Sequence, residues 1–168
     1  MIHFLIDGML GKLARWLRLF GYEVDYSTTY SDKVLLQKAQ QNNSILITSD
    51  ESLFKTAINK RIEAMLIKNN SLTEKLAQII RRYQINLPSN PQFVRCPKCG
   101  FLLQQEPKED LKDRVPAKSY QRYSEFWICR NQTCNKIYWQ GSHWGNIQKT
   151  LKTLKALLKS KHGEPDER

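Results

Sequence analysis

The chain has 168 residues, 40% of them hydrophobic, and its 27 Lys and Arg against 16 Asp and Glu give a net charge of +11. That length accommodates one ordinary core and a small appendage. No apolar run approaches the roughly 18 residues of a membrane span, and the start lacks the basic n-region and cleavage site of a signal peptide. A cytoplasmic protein with no membrane partner is therefore expected. The charge excess is spread as +4 over 1–90, +4 over 91–142 and +3 over 143–168, so it is not one basic tail. A field of that sign suits a polyanionic partner, the plainer alternative being a solvated basic surface.

Ile2–Ile6 reads as a buried strand, with Asp7 at its carboxyl edge and Gly8 permitting a tight turn. On a helical wheel Met9, Leu10, Leu13, Trp16, Leu17 and Phe20 share an apolar arc, and Lys12, Arg15 and Arg18 occupy another. Arg18, farthest along, is expected to be solvated. Gly21 is a plausible C-cap. Glu23–Tyr26 alternates as a second strand, and Asp32 opens a helix with Val34, Leu35, Leu36 and Ala39 on its core face. Ser44–Thr48 is the strongest strand pattern, followed by Ser49-Asp50-Glu51 and a helix beginning near Leu53. Ala64–Ile67 is a fourth strand, and Ser71-Leu72-Thr73-Glu74 is a capping box opening a helix to about Tyr83. Four strand–helix alternations predict an α/β fold with a parallel sheet flanked by helices. Gln84–Arg95, with Pro88, Asn90 and Pro91, reads as a linker.

Cys96-Pro97-Lys98-Cys99 and Cys129…Cys134 are two close pairs in a chain without export features, which favours metal over disulfides. Four thiolates match a closed structural zinc site, with no open position for catalysis. A redox dithiol at Cys96 and Cys99 would leave the second pair unexplained. Phe126–Ile128 and Lys136–Trp139 look like the strands of a ribbon. The ribbon is expected to expose Arg95, Lys98, Arg122, Arg130 and Lys136 beside Tyr120, Tyr123, Trp127, Tyr138, Trp139 and Trp144. That mixture suits stacking on unpaired bases and neutralising phosphates, although some rings must form the core of so small a unit. Residues 145–162 form a last helix with Ile147, Leu151, Leu154 and Leu158 on one face and lysines opposite. His3 is assigned to the strand, His143 to packing in the ribbon and His162 to the tail.

Asp7 and Asp50 follow parallel strands, and Asp32 begins the helix after the second strand, so all three can face one crevice. Carboxylates gathered without matching cations suit magnesium or manganese and water attack at phosphorus. The plainer alternative is three acids that serve their helices as caps.

The strings Phe4-Leu5-Ile6-Asp7-Gly8-Met9-Leu10-Gly11-Lys12-Leu13-Ala14-Arg15-Trp16-Leu17-Arg18, Ile45-Leu46-Ile47-Thr48-Ser49-Asp50, Arg95-Cys96-Pro97-Lys98-Cys99 and Tyr138-Trp139-Gln140-Gly141-Ser142-His143-Trp144 resemble one family over residues 2–145. It is the PIN-like ribonuclease family named for the C-terminal domain of the worm Mut-seven protein. The resemblance implies a PIN-like nuclease domain over 1–90 and a zinc ribbon over 91–144, followed by a basic amphipathic helix and frayed tail over 145–168. It implies Asp7, Asp32 and Asp50 as the magnesium- or manganese-holding acids, Lys12 and Arg15 as phosphate contacts, and Cys96, Cys99, Cys129 and Cys134 as zinc ligands. Many PIN domains carry a fourth acid, for which Glu51 is the nearest candidate, and Ser49 stands where the family usually has a basic residue. The implied function is endonucleolytic RNA hydrolysis leaving a 5′-phosphate and a 3′-hydroxyl. The alternative is a non-catalytic RNA-binding adaptor on a degenerate nuclease fold. A phosphoacceptor domain using Asp50 and Lys68 would want an acidic pair after the first strand, where Asp7-Gly8 supplies one acid.

Overall fold

The computed structural model describes residues 2–68, 71–88 and 94–160. The centre of the expected linker, 89–93, and the tail with His162 lie outside them. Four short strands, β1 (His3–Ile6), β2 (Glu23–Tyr26), β3 (Ile45–Thr48) and β4 (Ala64–Leu66), alternate with helices α1 (Gly11–Leu19), α2 (Asp32–Gln41), α3 (Glu51–Asn59) and α4 (Leu72–Tyr83). The strands pair in parallel in the order β2-β1-β3-β4, with Phe4 opposite both Val24 and Ile45.

Alternation along the central strands sends side chains to two separate cores, as a sheet covered on both faces requires. Phe4, Ile6, Ile45 and Ile47 pack with α1 and α4, whereas Leu5 and Leu46 pack with α2 and α3. The chain thus winds one way from β1 to β2 and the other way from β3 to β4. The reversal falls between β1 and β3, which opens a crevice at their carboxyl ends. Asp7 and Asp50 follow those two strands.

Local signals account for the helix ends. α1 stops in a Schellman turn, with Gly21 at φ +90° and the Tyr22 and Gly21 amides donating to the Leu17 and Arg18 carbonyls. Ser71 and Glu74 form the complete capping box at α4. Two expectations for the first helix fail. Met9 is 80% exposed, because residues 8–10 form a 3-10 turn and the α-helical wheel applies only from Gly11. Arg18 is not solvated but 3% exposed, held by carbonyls from two other parts of the chain.

The second half builds an antiparallel sheet of β5 (Leu103–Glu106), β6 (Phe126–Cys129) and β7 (Ile137–Tyr138). The insertion between the cysteine pairs has structure of its own: a 3-10 turn at Lys108–Leu111 and helix α5 (Ala117–Arg122). Leu111, Val115 and Phe126 form its core, with Tyr120, Tyr123 and Trp139 packed against them. Those rings serve the core, as so small a unit demands. The last helix, α6 (Ser142–Ser160), begins three residues before its expected start. Its Leu151 and Leu154 enter the same core as Phe4 and Leu17, and Arg81 of α4 donates to the Leu157 carbonyl at 2.9 Å. No helix among the described residues is long and apolar enough to cross a membrane.

Candidate active site and metal centre

The crevice is organised by a side chain between the two acids. The amide of Asp7 donates to the Ile47 carbonyl at 3.0 Å, extending the β1–β3 ladder by one residue. Thr48, fully buried, donates its hydroxyl to Asp7 Oδ2 at 2.6 Å and accepts the Asp50 amide at 2.9 Å. The second bond is a Ser/Thr turn, which ends β3 and aims the chain into α3. Asp50 then caps α3, its Oδ1 accepting the Ser52 and Leu53 amides at 2.7 and 2.9 Å. Asp7 Oδ1 and Asp50 Oδ2 take no hydrogen bond or ion pair among the described residues.

Asp32 lies in the first turn of α2, where Ser31 provides the cap, and its carboxylate is exposed. Glu51 is exposed in the first turn of α3 and makes only a long contact, 3.9 Å, with Lys55. Service to a helix therefore accounts for Asp50, as a cap, and for Asp32, as a first-turn acid facing the α2 dipole, but not for Asp7, whose side chain caps nothing. The acids share the carboxyl side of three adjacent strands without being drawn into one tight cluster. Among the described residues, only the four cysteines form a group of three or more His, Cys, Asp or Glu ligand atoms within 4.8 Å of one another.

Two glycines shape the entrance. A Cβ on Gly8 would come 3.1 Å from the Thr28 Cα and 3.2 Å from the Ser27 carbonyl oxygen, so the β2–α2 loop closes over the turn because that residue is glycine. Tyr26 reaches back from β2 to donate its hydroxyl to the Gly8 carbonyl at 3.0 Å, and a Cβ on Gly11 would clash with that hydroxyl. Lys12 and Arg15 are exposed on α1 beside it.

The cysteines fit a zinc ion. Cys96 and Cys129 are buried, Cys96 Sγ lies 3.8 Å from Cys134 Sγ, and Cys99 Sγ lies 3.3 Å from Cys129 Sγ. A tetrahedral ion with bonds near 2.3 Å spaces its sulfurs ~3.8 Å apart. Burial pushes the Cys129 and Cys134 thiols up. For Cys96 burial acts the same way, but hydrogen bonds from the Tyr138 hydroxyl and the backbone around Cys99 outweigh it and bring the thiol down to about 7. The first knuckle closes through the Gly100 amide on the Cys96 carbonyl, with Gly100 at φ +84°.

Arg18 and Arg95 fasten this knuckle to the parallel sheet. Arg18 donates to the Val24 carbonyl at 2.9 Å and, with its other terminal nitrogen, to the Lys98 carbonyl at 2.9 Å. Arg95 donates to the Gly21 and Gly100 carbonyls at 3.2 and 3.0 Å. Sequence reasoning placed both arginines in solvent, where the structure draws them in as carbonyl clamps, and it passed over Thr48. The Thr-x-Asp spacing of a Ser/Thr turn was a usable signal for Thr48; nothing local marks Arg18.

The profile of the Mut7-C RNAse domain family matches residues 2–151. The chain belongs to that family. Every candidate residue discussed above lies within the Mut7-C match, which spans both the parallel sheet and the cysteine centre. Mut7-C membership carries a ribonuclease-type function with RNA as the class of substrate. Searches of curated proteins and of solved structures returned no match.

Proposed function

We propose that this chain is a metal-dependent endoribonuclease acting at the crevice between β1 and β3. In this reading residues 1–90 carry the chemistry, 91–144 form a zinc ribbon that aids RNA binding, and 145–168 supply the bracing helix and tail. The observation that carries the reading is the Asp7–Thr48–Asp50 arrangement: two acids at a switch point, joined through one buried hydroxyl, each keeping one carboxylate oxygen available. Asp7, Asp32 and Asp50 would hold magnesium or manganese, with Glu51 as a further acid. Magnesium keeps several waters, so acids farther apart than a tight cluster can reach it through them. Such an ion supplies an acidified water and neutralises charge developing at phosphorus. Thr48 would fix the Asp7 carboxylate by occupying one oxygen and leaving the other outward. Lys12 and Arg15 would hold the scissile or neighbouring phosphate, Arg15 with two parallel donors. The products would carry a 5′-phosphate and a 3′-hydroxyl. Two close cysteine pairs suited to a metal rather than to disulfides fit a reducing cytoplasm as the site of action.

The test is cleavage of a fluorescent RNA by zinc-loaded protein with magnesium or manganese. Asp7→Asn and Asp50→Asn should each lower kcat by about a hundredfold or more, the scale seen when one preorganised electrostatic group is lost. Asparagine caps helices as well as aspartate, so α3 should survive the second change. Full activity in both variants would sink the reading. One observation favours the rival, an RNA-binding adaptor without catalysis: the three acids are not drawn within 4.8 Å of one another. The adaptor would bind RNA with no divalent ion and cleave none.

A further inference from the structure

Two recesses of about 440 Å³ each flank Tyr26. One runs from the Gly8 turn along the start of α1 to Lys75 of α4; the other lies between α1 and the zinc knuckle. They share Gly11 and Tyr26, so they adjoin on either side of the Tyr26 ring and together make a furrow, stepped at that ring, about the first turns of α1. Lys12, Arg15, Lys75, Lys98 and Lys136 line it with the buried Arg18, contributed by two helices, the first cysteine turn and the residue before β7, and no Asp or Glu does. None of these cations is in a salt bridge among the described residues. The contrast is the recess on the other side of the knuckle, whose lining carries Glu23 paired with Arg95 and Asp25 paired with Lys38.

We propose that this furrow is a track for single-stranded RNA, with Lys98 and Lys136 gripping the backbone at the end remote from Asp7. The inference deepens the ribonuclease reading and rests on it for the placement of the cleaved bond. Unneutralised cations spaced along a groove that also presents the rings of Tyr26 and Tyr138 are the arrangement that follows a single strand. Duplex RNA is instead read mostly by shape across a wide shallow groove. The continuity has a simple cause: Arg18 anchors the knuckle at the flank of α1, so cations from both halves of the chain end up on one furrow.

The experiment measures binding of a short fluorescein-labelled oligouridine to zinc-loaded full chain without added magnesium or manganese, across a salt series. Lys98→Ala/Lys136→Ala should weaken binding several-fold and flatten the log–log salt slope by about 1.4, at ~0.7 per lost phosphate contact. The charge-matched control, Lys112→Ala/Lys118→Ala, changes two exposed lysines outside the furrow and should leave the slope unchanged. In a cleavage assay the Lys98/Lys136 variant should raise KM and spare kcat. Equal losses in the two double variants would overturn the track, as would duplex RNA binding as tightly as the single strand. Wild-type protein that shows the salt response but cleaves nothing supports the track while removing the nuclease reading. Cleavage that depends on Asp7, with no loss of binding in the Lys98/Lys136 variant, does the reverse.

Discussion

Thr48 shows how much a single buried hydroxyl can decide. It donates to one acid and accepts from the backbone of the next, so it is satisfied on both sides and sets the spacing between them. Thr48→Val keeps the shape and loses both bonds, which should cost about 1–3 kcal/mol, the scale for losing a hydrogen bond to a carboxylate together with one to the backbone. Urea unfolding reads that loss. Cleavage should fall as well, and Thr48→Ser should restore it without matching wild-type stability. Asp7 and Asp50 were legible because a carboxylate directly after an apolar strand stands out. Thr48 was not, since a β-branched residue closing such a strand looks like ordinary strand propensity. Arg18 was misread for another reason. A helical wheel separates faces by angle, and it cannot register that a second unit docks on the polar one.

Elements follow the same division between local and distant causes. The capping box at Ser71 and the glycine stop at Gly21 are written within a few residues, and both formed as read. β5 was missed because Leu-Gln-Gln-Glu carries almost no apolar alternation; its pairing with β6 makes it a strand. The start of α1 gives an expectation that inverts a general rule. Replacing a helical glycine by alanine ordinarily stabilises by ~1 kcal/mol. Gly11→Ala would instead push Tyr26 off the Gly8 carbonyl, and a net loss of about 1 kcal/mol is expected, comparable to one hydrogen bond. The cost should shrink in a Tyr26→Phe background, where that bond is already gone, so a double-mutant cycle in urea isolates the coupling.

For the whole molecule the decisive component is the cysteine quartet, which fits a zinc ion. The parallel sheet and the cysteine quartet were both legible, because hydrophobic period and ligand spacing are properties of the chain itself. Their attachment was not: it depends on Arg18, Arg95 and the face of α6, which acquire meaning only once both halves have folded. Zinc loading should release at least two protons at pH 7, one each from Cys129 and Cys134. Burial raises both thiols in the ion-free protein, so they are protonated there and must ionise to bind. Calorimetry in buffers of different ionisation enthalpy counts them.

The arginine clamp has one more consequence, which concerns solubility. β2 is an outer strand of the parallel sheet, and an uncovered outer strand is a template for pairing with another molecule. Arg18 occupies its Val24 carbonyl, and Arg95 lies 3.7 Å from its Glu23 carboxylate. The knuckle is thus a lid on a sticky edge, and an ion held by its cysteines would guard it. Stripping zinc should leave a protein that self-associates as its concentration rises, detectable by light scattering. Zinc added back before aggregates mature should restore the monodisperse form.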